Sequence, residues 1–158
     1  MPTITLDTWI EAPVDVVFDL ARSIDLHKYS VMDTQEEAIA GVKAGLIGLG
    51  ETVTWRARHF GRYRTLQVKI SKMERPHHFT DVMLKGDFKS MKHQHFFQAQ
   101  HNGTLMRDVF RFEAPYGWLG RLVAALLLKR YMRGLLRQRN RALKEIAESG
   151  ELTKFLAR

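Results

Sequence analysis

His93 and His95, in the stretch KHQHFF (92–97), have the types and spacing in this chain that best suit joint chemistry. On a β-strand, residues i and i+2 project to one face, so the two imidazoles would stand side by side. Three readings suit such a pair. It could hold a metal, given a third ligand. It could do acid–base work, since histidine titrates near neutral pH. Or it could be a polar cluster that is structural or orients a ligand. Asn102-Gly103 between two alternating segments is a strong hairpin signal, and it supplies a register. A two-residue turn there pairs His101 with Thr104, which sets Phe97 opposite Asp108, His95 opposite Phe110 and His93 opposite Phe112. Asp108 then lies one diagonal step from His95, within reach of a carboxylate–imidazole contact. A buried carboxylate needs such a partner, and Asp108 could also serve as the third ligand. The catalytic candidates are therefore His95, as general acid or base, and Asp108, which would orient it.

The same register sorts the hairpin into two faces. Met91, His93, His95 and Phe97 on one strand share a side with Met106, Asp108, Phe110 and Phe112 on the other. Gln94, Gln98, Arg107 and Arg111 point the opposite way, with Phe96 as an interruption. The apolar face should look inward. Trp55 shares a face with Val53 and Ala57 and should line the pocket or the core. Asp81 lies on a strand whose parity is open, because the turn around Pro76 has an ambiguous length. His27 and Ser30 belong to short helices that would close one end of a pocket. His59, His77, His78 and His101 lie near turns and are expected to be exposed.

Other chemistries are missing. There is no cysteine, which excludes disulfides, zinc–thiolate sites and thiol nucleophiles. GLIGLGE lacks the lysine and helix start of a phosphate loop, and neither HExxH nor a serine nucleophile elbow occurs. The formal charge of +8 and a pI near 10.0 favour contact with something anionic. Arg137, Arg139 and Arg141 sit at helical spacing and form no nucleic-acid signature, so nucleic acid is not an expected partner. The N-terminal residues have no basic region leading into an apolar run, and no stretch reaches about 18 apolar residues. A cytoplasmic location is the default expectation.

The elements that would position these side chains follow from periodicity. Residues 3–11 alternate as a strand. Pro13 and Asp15 open a first short helix, and Ser23 is placed to cap a second over Ile24–Tyr29. Residues 36–40 suggest an edge strand, and GVKAGLIGLGE, with four glycines in eleven residues, reads as a loop. Strands follow through Trp55, through Leu66–Ile70 after a turn at Gly61-Arg62, and over 78–85, 88–99 and 104–113. From about Trp118 to Ser149 the pattern is helical, and Gly150 suits a C-cap. The fold class is α+β: a curved antiparallel sheet of about seven strands wrapped around one long C-terminal helix, within a single domain spanning residues 1–158.

This order resembles the START-like superfamily, also known as SRPBCC or Bet v 1-like, whose fold is the helix-grip. The residues that carry the resemblance are IEAPVDVVFDLARSIDLH, LGETVTWRARHFG, FTDVMLKGDFKSMKHQHFF and GTLMRDVFRFEAPYGWLGRL. The chain is most similar to the polyketide cyclase/dehydrase and coenzyme Q-binding branch, and within it to small bacterial ligand-binding SRPBCC proteins of undefined function. The resemblance implies an internal, largely apolar pocket closed by the C-terminal helix, with no metal and no cofactor. The fold hosts both carriers and enzymes, so it does not fix the function.

The expected partner is a hydrophobic small molecule: a lipid, a quinone or a polyketide-like compound. The expected ligand-binding residues are Trp55, Met91, His93, His95, Phe97, Asp108, Phe110, Tyr131 and Leu135. A cyclase or dehydratase using His95 and Asp108 is the alternative. On the long helix, Leu128, Tyr131, Met132, Leu135, Ala142, Leu143 and Ile146 share the sheet-facing side. Arg130, Arg133, Arg137, Arg141 and Lys144 lie opposite, and Leu119, Leu122, Val123 and Leu126 continue that outer line. Such a face would suit an anionic membrane or a homodimer contact. Arg121 and Arg139 fall on the inner side, where an arginine needs an anionic partner such as Asp108 or Asp81, or the head of an acidic ligand.

Overall fold

The computed structural model describes residues 2–115 and 117–156, without the side chains of residues 119–121 and 124. The expectations for Leu119 and Arg121 therefore lie outside the described residues. Strand β1 (Thr3–Ile10) leads into helices α1 (Val14–Ala21) and α2 (Ile24–Ser30). Ser23 caps α2 by accepting a hydrogen bond from the Leu26 amide. A short 3-10 turn precedes the edge strand β2 (Glu37–Gly41). Then come β3 (Thr52–His59), β4 (Arg62–Glu74), β5 (His78–Lys85), β6 (Ser90–Gln100) and β7 (Gly103–Glu113). Helix α3 (Trp118–Ser149) ends at Gly150, whose φ of +78° makes glycine the natural residue there. A last short helix, α4 (Thr153–Leu156), was not anticipated; its Phe155 is buried against Tyr29.

All seven strands form one antiparallel sheet in the order β1-β7-β6-β5-β4-β3-β2. Register breaks at Ala38/Ala40, Gln67/Val68 and Ile70/Lys72 bend it. Helix α3 packs against β1, α1 and α2, so the curved sheet and the helices enclose a space between them. Phe18 of α1 seals one end, edge-on to Phe79 and Phe97 at 5.4 and 5.2 Å. Among the described residues, no helix is long and apolar enough to cross a membrane.

Two hairpins differ from expectation. Between β6 and β7 the turn is centred on His101 and Asn102, because Gln100 pairs with Gly103 and His101 takes a left-handed φ of +52°. The pairing therefore shifts by one residue on each strand. Both faces survive this change, but His95 now stands opposite Asp108 and His93 opposite Phe110. Between β3 and β4 the turn is Phe60-Gly61, both at positive φ, the backbone a tight hairpin requires. Phe60 accepts that conformation without glycine's freedom, and its ring stays 69% exposed.

Helix α3 divides in two. Its C-terminal half buries Leu136, Leu143, Ile146 and Ala147, together with Arg139 and Asn140. Its N-terminal half leaves Trp118, Leu122, Val123, Leu126 and Leu127 exposed. The expected basic line is shorter than the sequence suggests. Lys144 is tied down, donating to the Trp9 carbonyl and to Glu148, and Arg133 is half-buried. Arg130, Arg137 and Arg141 remain exposed.

Candidate functional site

The space inside the grip is a cavity of about 600 Å³, within the range typical of small-molecule sites. Val53, Trp55, Val68, Met91 and Phe110 from the sheet and Leu128, Met132 and Leu136 from α3 supply apolar wall. Trp55, Met91, His93, His95, Phe110, Tyr131 and Leu135, all expected at the site, line it. Phe97 and Asp108 are not among its described lining residues. Phe97 packs between Phe18 and Phe79, and Asp108 lies fully buried behind the histidines.

The floor is polar. Strand alternation puts His93 and His95 on the inner face of β6, and their rings lie 3.8 Å apart. His93 Nε2 donates to Asp108 Oδ1 at 2.8 Å. His95 Nε2 donates to Asp81 Oδ1 at 2.9 Å. His95 Nδ1 is 3.1 Å from Asp108 Oδ1, a charge contact that is poorly directed as a hydrogen bond. Asn140 of α3 donates to Asp108 Oδ2 at 2.7 Å. Arg139 donates to the Ala21 carbonyl at 2.9 Å and places Nη1 3.6 Å from Asp108 Oδ1. The inner-facing arginine thus has an internal anionic neighbour, and it also lines the cavity.

Burial and charge pull against each other in this cluster. Burial pushes the Asp108 carboxyl up, but the imidazoles of His93 and His95 outweigh it and hold the group well below the usual carboxylate range. Burial likewise opposes ionisation of Asp81, and the His95 hydrogen bond wins, so its pKa is lowered. The two histidines separate. Burial and the charge of neighbouring His95 push His93 down despite Asp108. For His95, burial is overcome by Asp108 and Asp81, and its pKa rises. The two carboxylates are held against the imidazoles and the Arg139 guanidinium, and such pairing is how buried ionic groups are tolerated.

A second polar group lines the cavity; the sequence placed His27 and Tyr131 at a pocket but not their partners Glu36 and His59. His27 of α2 bonds Glu36 at 2.8 Å and lies 4.3 Å from the Trp55 ring. The Tyr131 hydroxyl is hydrogen-bonded to His59 Nδ1 at 2.6 Å, joining α3 to the β3–β4 hairpin, with Phe60 beside it. His59 was expected to be exposed; it is half-buried, and burial lowers its pKa. His78 is also half-buried, stacked on Phe96, whereas His77 and His101 are exposed.

Asp81, left open by the sequence, faces inward with Phe79. Asn140 was missed, although its spacing from Leu136 and Leu143 put it on the buried stripe. Ser30 is buried and bonds the His27 carbonyl.

No family model matches this chain, and no curated protein matches it in sequence. Solved structures do match in fold. TTHA0849 from Thermus thermophilus superposes with a TM-score of 0.76 at 16% identity, over 94% of this chain and 99% of its own. The ginseng major latex-like protein 151 from Panax ginseng gives 0.64 at 15%, over 92% and 96%. The di-domain ARO/CYC StfQ from the steffimycin biosynthetic pathway gives 0.76 at 11%, over 95% of this chain and 51% of that one. The structural neighbours are Bet v 1-like, SRPBCC proteins, and this chain has their helix-grip fold.

Proposed function

We propose that this helix-grip protein, acting as a single domain, binds and carries a hydrophobic small molecule: a lipid, a quinone or a polyketide-like compound. The observation that carries the reading is the cavity of about 600 Å³ with apolar walls and a polar floor of paired acidic and basic side chains. Apolar surface removed from water would supply most of the affinity, at about 25 cal/mol per Å². Asp81, His95 and Arg139 would orient the ligand's polar atoms. Trp55, Met91, Phe110, Tyr131 and Leu135 would form the walls, and Phe97 and Asp108 would support the floor from behind.

The exposed leucines of α3, followed by Arg130 and Arg137, support loading from an anionic membrane surface. On this reading the protein is cytoplasmic and takes up its cargo at that face.

The test is native mass spectrometry of the purified protein, followed by organic extraction and mass analysis of what is released. A stoichiometric apolar compound supports the reading. A bare polypeptide mass, together with no thermal shift across a lipid and quinone panel, would overturn it.

One observation favours an enzymatic second reading. His93 has a pKa lowered by burial, lines the cavity and is oriented by buried Asp108, the arrangement a general base requires. His95, the other candidate, would then be the acid. Turnover of a polyketide-like substrate, lost in His93→Gln while binding persists, would establish a cyclase or dehydratase; binding without turnover would sink it.

A further inference from the structure

Asp81, His93 and His95 each bring one metal-ligating atom to within 4.8 Å of the other two. The binding reading uses these side chains only as hydrogen-bonding groups. Their spacing also suits an ion. Asp81 Oδ1 and His95 Nε2 are 2.9 Å apart, and two donors on a tetrahedral zinc ion lie about 3.3 Å apart. Coordination requires that pair to open by a few tenths of an ångström and the His93 donor, within 4.8 Å of both, to settle at the same donor spacing.

The support behind the rings points the same way. Asp108 Oδ1 bonds His93 Nε2 at 2.8 Å and lies 3.1 Å from His95 Nδ1. One buried carboxylate therefore backs both imidazoles, and Asn140 anchors its other oxygen. A carboxylate behind a ligating histidine fixes its ring and tautomer. The nitrogens left for coordination are His93 Nδ1 and His95 Nε2. His95 Nδ1 is buried without a well-directed bond. As donor to Asp108 behind a metal-bound Nε2, it gains a defined role.

We infer that Asp81, His93 and His95 form a two-histidine, one-carboxylate site for a divalent first-row transition ion such as zinc, with its open positions facing the cavity. All three residues line that cavity, and Asp108 sits behind them. With neutral histidines, Asp81, Asp108 and Arg139 sum to one negative charge. A divalent ion reverses the sign and makes the floor receptive to an anionic oxygen donor. The site does not depend on which apolar ligand fills the cavity.

The test uses the full chain after chelator treatment, titrated with Co2+ alone and read by visible absorption, then with Zn2+ in competition. The expected result is one ion per chain, the intense bands of low-coordinate Co2+ and their loss on adding Zn2+. Asp81→Asn should weaken binding at least about tenfold, and His95→Gln should abolish it. Changing the exposed pair His77→Ala and His101→Ala should leave it unaltered. Absence of binding by the wild-type chain, unchanged binding by Asp81→Asn, or loss of binding in the His77/His101 variant would each overturn the site. If the floor variants do not fold, imidazole NMR of the wild-type chain decides. At one equivalent of Zn2+ the His93 and His95 signals must move; movement confined to His77 and His101 refutes the site. A metal-binding chain that takes up no apolar ligand would sink the carrier reading and leave this one standing.

Discussion

Asp108 concentrates the energetics of the floor in one side chain. It is fully buried and touches His93, His95, Asn140 and Arg139. Removing it leaves the Arg139 guanidinium and both imidazoles without their shared carboxylate. Asp108→Ala should therefore lower stability by about 3–5 kcal/mol, and Asn140→Ala by about 1–3 kcal/mol; urea denaturation checks both. Asp19 provides a separate pH-dependent contribution. Burial pushes its carboxyl up, but Arg75 and Arg22 outweigh it and lower the pKa. The folded value lies below the unfolded one, so the stabilisation is present above about pH 4. It is lost as pH falls through the folded pKa. Asp19→Asn should destabilise the chain at neutral pH, with the gap to wild type closing as acid is added. A gap that stays constant to low pH would disprove the attribution. At this scale the sequence was legible where parity alone decided. His93, His95 and Asp108 share a face in any register that differs by a whole pair. Their partners were not legible, because a left-handed His101 moves the turn by one residue. Asp81 was hidden by an ambiguous turn and the Ile70/Lys72 bulge.

Helix α3 shows what periodicity can and cannot give. Its range and its Gly150 cap follow from the sequence, since both depend on local conformation. Its inward stripe splits by surroundings: Leu128, Tyr131, Met132 and Leu135 line the cavity, and Leu143 and Ile146 are buried. Leu136 and Asn140, which that stripe omits, are buried beside Arg139 and Leu143. The N-terminal half overhangs the cavity, so its inward residues border free space and not a packed core. Leu122 and Leu126, with Arg130 and Arg137 further along, fit an anionic bilayer on the docking reading. Each basic residue near such a surface contributes about 1 kcal/mol. Arg137→Glu should weaken sedimentation with anionic vesicles by roughly fivefold or more, and Leu122→Asp with Leu126→Asp should abolish it. Neutral vesicles should bind weakly throughout. If these variants instead dissociate a dimer in ultracentrifugation, the face belongs to a second copy of the chain.

The whole molecule settles one matter that no residue pattern could: whether the grip is filled by its own side chains. Topology, strand number and enclosure follow from the alternation and the single long helix. Free volume does not, because it depends on small residues facing each other across the curve. Val53, Ala57 and Val68 lie on the inner side of β3 and β4 and leave space that Phe79 and Phe110 do not fill. That suggests a direct experiment on the cavity. Ala57→Phe places a ring in existing free space, so it should avoid most of the about 1–3 kcal/mol penalty of overfilling a tight core. The variant should keep its melting temperature within a few degrees while losing the binding of an apolar ligand found by extraction. A wild-type chain at a hundredfold excess of that ligand over Kd gains about 2.7 kcal/mol, and this gain should vanish in the variant. Asp81→Asn should do the reverse in part, keeping the volume and altering which polar head is accepted. If Ala57→Phe binds as well as wild type, the ligand lies elsewhere, and the outer face of α3 becomes the surface to pursue.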